Sequence, residues 1–299
     1  MKIPFTNRKI LNSYSTIIMS ITMVIVLVTP LIMFIYLSLK SSNLLEHIPL
    51  YKVLFTSAWK PGAGNFGFLP FIISSISITV MAVIIAAPIC IFTAIYLTNY
   101  ARKGMLIFMQ PVIDILAGIP SVIYGVWGIL VIVPFISNIV APCFGIQSTG
   151  YSLIAGSMVL AVMIIPFILN MLIEIFNTAP QDLMEATLSL GATKWEAIKH
   201  VIIRKVKPGI ISSFGLGIAR AFGETIAVLM VAGNVARIPN GLFDPVYPLP
   251  ALIANNYGEM MSIPLYDSAL MMAALILFIS VMIFSFFSRI TIYRLELRY

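Results

Sequence analysis

Arg220 and Glu224 stand four residues apart in the run Gly217-Ile218-Ala219-Arg220-Ala221-Phe222-Gly223-Glu224-Thr225, with long apolar stretches on either side. On a helix that spacing puts both side chains on one face. Two chemistries fit. The pair can close as a fixed salt bridge between helices, an arrangement that adds little net stability. Alternatively, the guanidinium offers a positive, multi-donor fork to an oxyanion. Glu224 then holds that fork in place or accepts a hydrogen bond from a protonated anion, with Thr225 adjoining. An arginine in hydrocarbon costs about 3 kcal/mol or more, so Arg220 must face protein or water.

Other chemistry-bearing residues give less. His47 and His200 are solitary, without partners at metal-ligand spacing, so no metal is expected. No nucleophile–base pair stands out, so no catalytic residue is assigned. Gly62-Ala63-Gly64-Asn65-Phe66-Gly67 fits G-x-G-x-x-G. A dinucleotide site would need a strand before it and a helix opening at it, and the stretch reads as loop. The sequence contains no G-x-x-x-x-G-K-[ST], so ATP binding through a P-loop of its own is not expected. Asp114 reads as a helix-start residue near a membrane interface, and Asn170 and Glu174 as interfacial.

The elements that position Arg220 and Glu224 follow from composition. The chain has 299 residues, is 60% hydrophobic and 10% charged, and has a mean hydropathy of +1.04. A soluble domain carries about 25% charged residues, so lipid is the solvent for much of this chain. About 20 apolar residues cross a bilayer. Six segments qualify, at about 15–39, 71–98, 105–136, 151–176, 208–233 and 266–290. Each is expected to be helical, because lipid cannot satisfy a backbone. The third is too long for one straight span. It either begins as an interfacial helix before Pro111 or bends near Gly118–Pro120. The fold class is therefore all-α, a polytopic bundle of about six spans. Residues 1–70 form an N-terminal span with an outer loop, and 71–299 the main transmembrane domain. The first apolar run exceeds the roughly 7–15 residues of a signal-peptide core and is read as a retained span.

The formal net charge of +7 has an orientation to explain it. With the N-terminus inside, the inner segments hold Lys2, Arg8, Lys9, Arg102, Lys103, Lys194, Lys199, Arg204, Lys205, Lys207, Arg289, Arg294 and Arg298. The outer ones hold Lys40, Lys52, Lys60 and Arg237. Thirteen cations against four place both termini in the cytoplasm, and the basic balance needs no nucleic acid. Cys90 lies in an apolar run and Cys143 in a short loop, so no disulfide between them is expected. The outer loops at about 40–70 and 234–265 are long enough to touch an external partner.

The longest inner connection runs from Asn177 to Glu196. Pro180 can open a helix, with Gln181 and Asp182 in its first turn. Leu183, Ala186, Thr187 and Leu190 follow at helical spacing. Gly191 can end the helix left-handed, and Trp195 offers a large anchor surface. Physics alone leaves two readings of this amphipathic helix: it rests on lipid headgroups, or it docks a partner.

Glu185-Ala186-Thr187, three residues, then Gly191 resembles the EAA loop of ABC importer permeases. Two departures stand out. Thr187 replaces a second alanine, and Val201-Ile202-Ile203-Arg204 replaces I-x-L-P, so Pro208 before Gly209 is expected to supply the break. The run from Arg220 to Asn234 resembles the C-type permeases of the phosphate-specific (Pst) transporter family. Asp114-Ile115-Leu116-Ala117-Gly118-Ile119-Pro120-Ser121-Val122-Ile123-Tyr124-Gly125 resembles another segment of those permeases. The resemblance implies a type I ABC importer permease fold over 71–299, with a coupling loop at about 178–205. It implies an ATPase contact at Glu185, Ala186, Thr187, Gly191, Ala192 and Trp195, and inorganic phosphate passing Arg220, Glu224 and Thr225. It also implies partners: an A-type permease as heterodimer, an ABC ATPase homodimer and an extracytoplasmic phosphate-binding protein. No cofactor is bound directly; ATP and Mg serve the partner ATPase. The implied location is a bacterial or archaeal plasma membrane. A secondary anion symporter, or an ABC permease for sulfate or molybdate, stays open as an alternative.

Overall fold

The computed structural model describes residues 5–258 and 264–296. Lys2 and Arg298 of the charge count fall outside them, as do the side chains of Arg8, Lys9, Lys103 and Arg294 and the stretch 259–263 of the second outer loop. Helix α1 (Phe5–His47) carries the first apolar run. Its Thr16, Thr22 and Thr29 hydroxyls donate to carbonyls four residues back, which satisfies them on an apolar surface. α1 packs along the last helix, with Phe34 and Phe278 6.4 Å apart, rather than entering the core. After α2 (Leu50–Phe55), strands β1 (Trp59–Lys60) and β2 (Asn65–Phe66) pair antiparallel around a turn at Pro61–Ala63. The G-x-G-x-x-G stretch is thus the tip of a hairpin, with Gly64 at φ +71° making the reversal.

The core is the packing of α3 (Leu69–Tyr100, its last turn π) on α6 (Leu153–Asn177). Ile78, Ala82, Ala86, Cys90 and Ala94 recur every fourth residue of α3 and are buried. Small side chains at that spacing let two membrane helices approach closely. Leu160, Ile164, Ile168 and Leu172 of α6 fill the opposing surface and are likewise buried. Both thiols are free, Cys90 inside this ridge and Cys143 exposed.

The third expected segment is two helices, α4 (Lys103–Gly118) and α5 (Ser121–Cys143). Of the two expectations, the bend near Gly118–Pro120 is the one present. Pro120 disfavours helix at Ile119 (φ −65°, ψ 129°). Tyr124 closes the gap by donating its hydroxyl to the Leu116 carbonyl at 2.8 Å. α5 then loosens into π turns at Gly128–Ile132 and Ile136–Val140.

After α6 come α7 (Gln181–Ser189) and α8 (Lys194–Ala197). A π turn at Ile198–Ile202 leads into α9 (Ile203–Phe222). The break expected at Pro208 is absent; Pro208 sits inside α9. The interruption comes later. The expected span 208–233 is not one helix: α9 stops at Phe222 and α10 (Ile226–Val231) starts again beyond a three-residue gap. The chain continues through α11 (Leu249–Asn256) to α12 (Pro264–Glu296). Among the described residues, five helices are long and apolar enough to cross a membrane. The sixth expected span is the interrupted one. Gly217 lets α9 seat on α6, since a Cβ there would stand 2.6 Å from Ile168 Cδ1.

Candidate functional site

The gap between α9 and α10 rearranges the pair with which the sequence reading began. Gly223 (φ −87°, ψ −3°) ends α9, and Thr225 (φ −111°, ψ −62°) takes the N-cap position of α10. Helical phase is lost between Arg220 and Glu224, so the four-residue spacing no longer places them on one face. They form no ion pair. Among the described residues the salt bridge is Arg237–Asp244, 3.4 Å, in the loop after α10. Glu224 turns to its own backbone instead: its Oε1 accepts a hydrogen bond from the Ala227 N–H at 3.3 Å. That N–H is one of the unpaired donors at a helix start, where a carboxylate also suits the dipole. The Thr225 hydroxyl donates to the Gly223 carbonyl at 3.2 Å. The fixed salt bridge, one of the two readings of this pair, is therefore not what the residues form.

Arg220 is exposed in the last turn of α9, where a cation suits the helix dipole. Its guanidinium carbon lies 4.7 Å from the centroid of the Phe167 ring on α6. A guanidinium held over an aromatic face keeps its N–H groups free to donate. Phe167 carries no signal in the sequence, being one apolar residue of a long apolar helix.

One turn further along α6 is a polar link that the sequence reading also missed. Asn170 Nδ2 donates to Asp114 Oδ1 at 2.8 Å, and Gln110 Nε2 donates to Asn170 Oδ1 at 3.0 Å. Asp114 is thus near the end of α4, not at a helix start, and it faces α6. Asn170 is bound to α4 through both Asp114 and Gln110.

The inner connection keeps the expected helix but divides its apolar residues. Pro180 is the N-cap of α7 rather than its first residue, and Asp182 lies in the first turn. Leu183 and Met184 turn inward against the core. α7 ends at Ser189, so Leu190 leaves the helical face and stands 89% exposed, with Leu188 and Trp195 41% and 43% exposed. Glu185 and Ala186 are exposed; Thr187 and Ala192 are half-buried. Gly191 has φ +86°, the left-handed conformation that lets the chain double back. Thr193 then caps α8. Its hydroxyl accepts from the Glu196 N–H at 3.3 Å, while Glu196 Oε2 accepts from the Thr193 N–H at 2.8 Å. This capping box was legible as T-x-x-E. It holds the Glu196 carboxyl below the usual carboxylate range, chiefly through the Thr193 N–H and then the Thr193 hydroxyl. Buried Ile198 and Ile202 anchor the far side of the turn. Behind it is a cavity of about 260 Å³ whose lining includes Asn99, Gln181, Met184, Glu185, Lys194 and Ile202.

Five membrane-length helices, an interrupted sixth and a helical elbow are the architecture of a polytopic membrane protein. The chain matches the family described as binding-protein-dependent transport system inner membrane component over residues 91–296, and it belongs to that family. It is therefore a multi-pass inner-membrane transporter component rather than an enzyme. It is 36% identical over 257 residues to the probable ABC transporter permease protein YqgH of Bacillus subtilis, covering 85% of this chain and 82% of that one. It is 34% identical over 262 residues to the phosphate transport system permease protein PstC of Mesorhizobium japonicum, covering 83% and 80%. The probable PstC of Methanocaldococcus jannaschii is 33% identical over 254 residues, covering 79% and 80%. Among solved structures, the inward-facing MetNI methionine ABC transporter superposes with a TM-score of 0.55 at 20% identity, over 74% of this chain and 93% of that one. An amino acid ABC transporter gives 0.52 at 19% identity, over 76% and 93%. These likenesses establish the type I importer permease fold.

Proposed function

We infer that this chain is a permease subunit of an ATP-driven, binding-protein-dependent phosphate importer, supplying half of the translocation pathway. The observation that carries this reading is the state of Arg220: a guanidinium stacked on Phe167, free of Glu224 and exposed beside an interrupted membrane helix. An intramembrane cation so placed offers an anion its donors without first breaking an ion pair. Glu224 and Thr225 shape the gap that leaves it open. The relatives named for phosphate transport supply the substrate.

The elbow of Glu185, Ala186, Thr187, Gly191, Ala192 and Trp195 is assigned the ATPase contact. Exposed Leu188, Leu190 and Trp195 give it an apolar surface, and the inward Leu183 and Met184 connect it to the bundle. The assembly is a heterodimer with an A-type permease, an ABC ATPase homodimer below and an extracytoplasmic phosphate-binding protein above. This chain binds no cofactor directly; ATP and Mg act in the ATPase. Both termini face the cytoplasm of a bacterial or archaeal cell, a reading that the cation asymmetry supports.

The test is phosphate uptake into proteoliposomes holding this chain, its permease partner, the ATPase and the binding protein. The expected result is uptake that needs both ATP and the binding protein. Uptake by this chain alone, driven by an ion gradient, would replace the importer with a secondary symporter. Equal uptake of sulfate or molybdate with their own binding proteins would replace phosphate with a broader oxyanion class.

A further inference from the structure

Asp114 carries a charge that its packing does not need. Asn170 uses only one acceptor oxygen, Oδ1, and a neutral asparagine at 114 would tie α4 to α6 equally well. Yet the residue is an acid bonded to α6, a helix long and apolar enough to span a membrane. Asn170 precedes the end of α6 by seven residues, about 10 Å at 1.5 Å per residue, whereas the whole helix of 25 residues exceeds the roughly 30 Å of hydrocarbon. A carboxylate facing lipid is unfavourable, most of all toward the bilayer centre, so Asp114, exposed on this chain, is served by water or protein.

Its position relates it to Arg220. Phe167 and Asn170 are three residues apart on α6 and share a face. Phe167 holds Arg220 from α9, and Asn170 holds Asp114 from α4. The two charges therefore flank one stripe of α6 a single turn apart, and they are not paired with each other. A cation and then an anion along one face have different effects on a passing oxyanion. The guanidinium attracts any of them. The carboxylate repels all of them, and only one that brings its own proton offsets the repulsion with a hydrogen bond. A P–OH can donate to the carboxylate, whereas a fully deprotonated tetrahedral anion has nothing to donate.

Resting on the phosphate-importer reading above, we propose that Asp114 is a specificity-determining residue of the pathway. It accepts a hydrogen bond from a protonated phosphate and excludes unprotonated oxyanions that enter from the ATP side. Asn170 and Gln110 tie α4 to α6, and the exclusion itself rests on the charge at 114.

The experiment uses the complete transporter in proteoliposomes, with the binding protein saturated by phosphate. Sulfate, or chloride at matched ionic strength, is placed on the ATP side. The readout is the ratio of phosphate uptake with sulfate to uptake with chloride, alongside ATP hydrolysis. In the wild type that ratio stays near one. In D114N it falls by about tenfold, the scale set by removing a like-charge repulsion. In N170A, which leaves the charge at 114, the ratio stays near the wild-type value. Should D114N fail to copurify with its partners, D114S carries the same comparison. An unchanged ratio in the assembled 114 variant overturns the proposal, and so does sulfate inhibition in N170A as deep as in D114N. Failure of the wild-type complex to take up phosphate would instead strike the importer reading itself, so the two failures are distinguishable.

Discussion

Arg220 lies over the Phe167 ring, 4.7 Å from its centroid, and not against Glu224, four residues further along its own chain. The cation is thus held by an apolar neighbour that leaves its hydrogen-bonding capacity unspent. A carboxylate partner would have consumed that capacity.

Replacing Arg220 by Gln is expected to abolish most phosphate uptake with assembly intact. Loss of one charge-assisted contact is about 1.5–3 kcal/mol, or about ten- to a hundredfold in rate. Phe167→Leu keeps the charge but removes the aromatic face. Stacking worth about 1 kcal/mol predicts a fall of about fivefold. Uptake assays with copurification as the assembly control measure both. Wild-type flux in R220Q would make the residue structural or redundant.

Glu224 behaves as a helix cap, and caps depend on the acceptor oxygen more than on its charge. Glu224→Gln can still accept from the Ala227 N–H, so its uptake should remain within a few-fold of wild type. Glu224→Ala leaves that donor unpaired at a cost of about 1 kcal/mol, and uptake and thermal stability should both fall. If E224Q lost as much uptake as R220Q, the carboxylate's charge would be acting in the pathway beyond its capping role.

The spans, the inner elbow and the intramembrane charge were legible in the sequence because each rests on composition or local chemistry: runs of apolar residues, Gly191 after a periodic stretch, Arg220 amid hydrocarbon. What was not legible rests on contacts between segments distant in the chain. Nothing local singles out Phe167 among the apolar residues of α6, and only the α4–α6 packing shows that Asp114 meets Asn170. The helix break at 223–225 was hidden for a different reason. Gly223 alone is a weak breaker in a membrane helix, and Glu224 read as a partner for Arg220 before it could be read as a cap for Ala227. The T-x-x-E of Thr193 and Glu196 is, by contrast, a local signal that the sequence carries in full.

That capping box makes a pH prediction. The folded Glu196 carboxyl is held below its ordinary value by Thr193. Its stabilising effect is therefore complete above the unfolded glutamate pKa of about 4.3 and is lost as pH falls through the lower folded value. Amide exchange at Thr193 and Glu196, corrected for the intrinsic rate, should stay protected at neutral pH and lose protection under acid. In Glu196→Gln, which has no charge to titrate, that acid-dependent loss should disappear. Equal acid sensitivity in both proteins would show that the box is not what protects these amides.

The elbow itself gives the last prediction. Leu190 is almost wholly exposed and Trp195 nearly half so, while Gly191 between them holds φ +86°. An apolar tip of this kind serves either lipid or a protein groove, and the two uses respond differently to one change. Leu190→Asp puts a charge at the tip. On a lipid surface it would loosen the elbow from the headgroups and leave ATP-driven uptake largely intact. In a protein groove it buries an unpaired charge and should uncouple the transporter. The expectation is loss of uptake and of binding-protein-stimulated ATP hydrolysis, with the chain still inserted beside its permease partner. Gly191→Pro should do the same by a different route, because proline holds φ near −65° and the chain cannot double back. Combined with Trp195→Ala it removes the anchor and the turn together. A Trp195→Ala, Gly191→Pro protein that inserted correctly and transported normally would remove the elbow from the coupling path and return it to the headgroups.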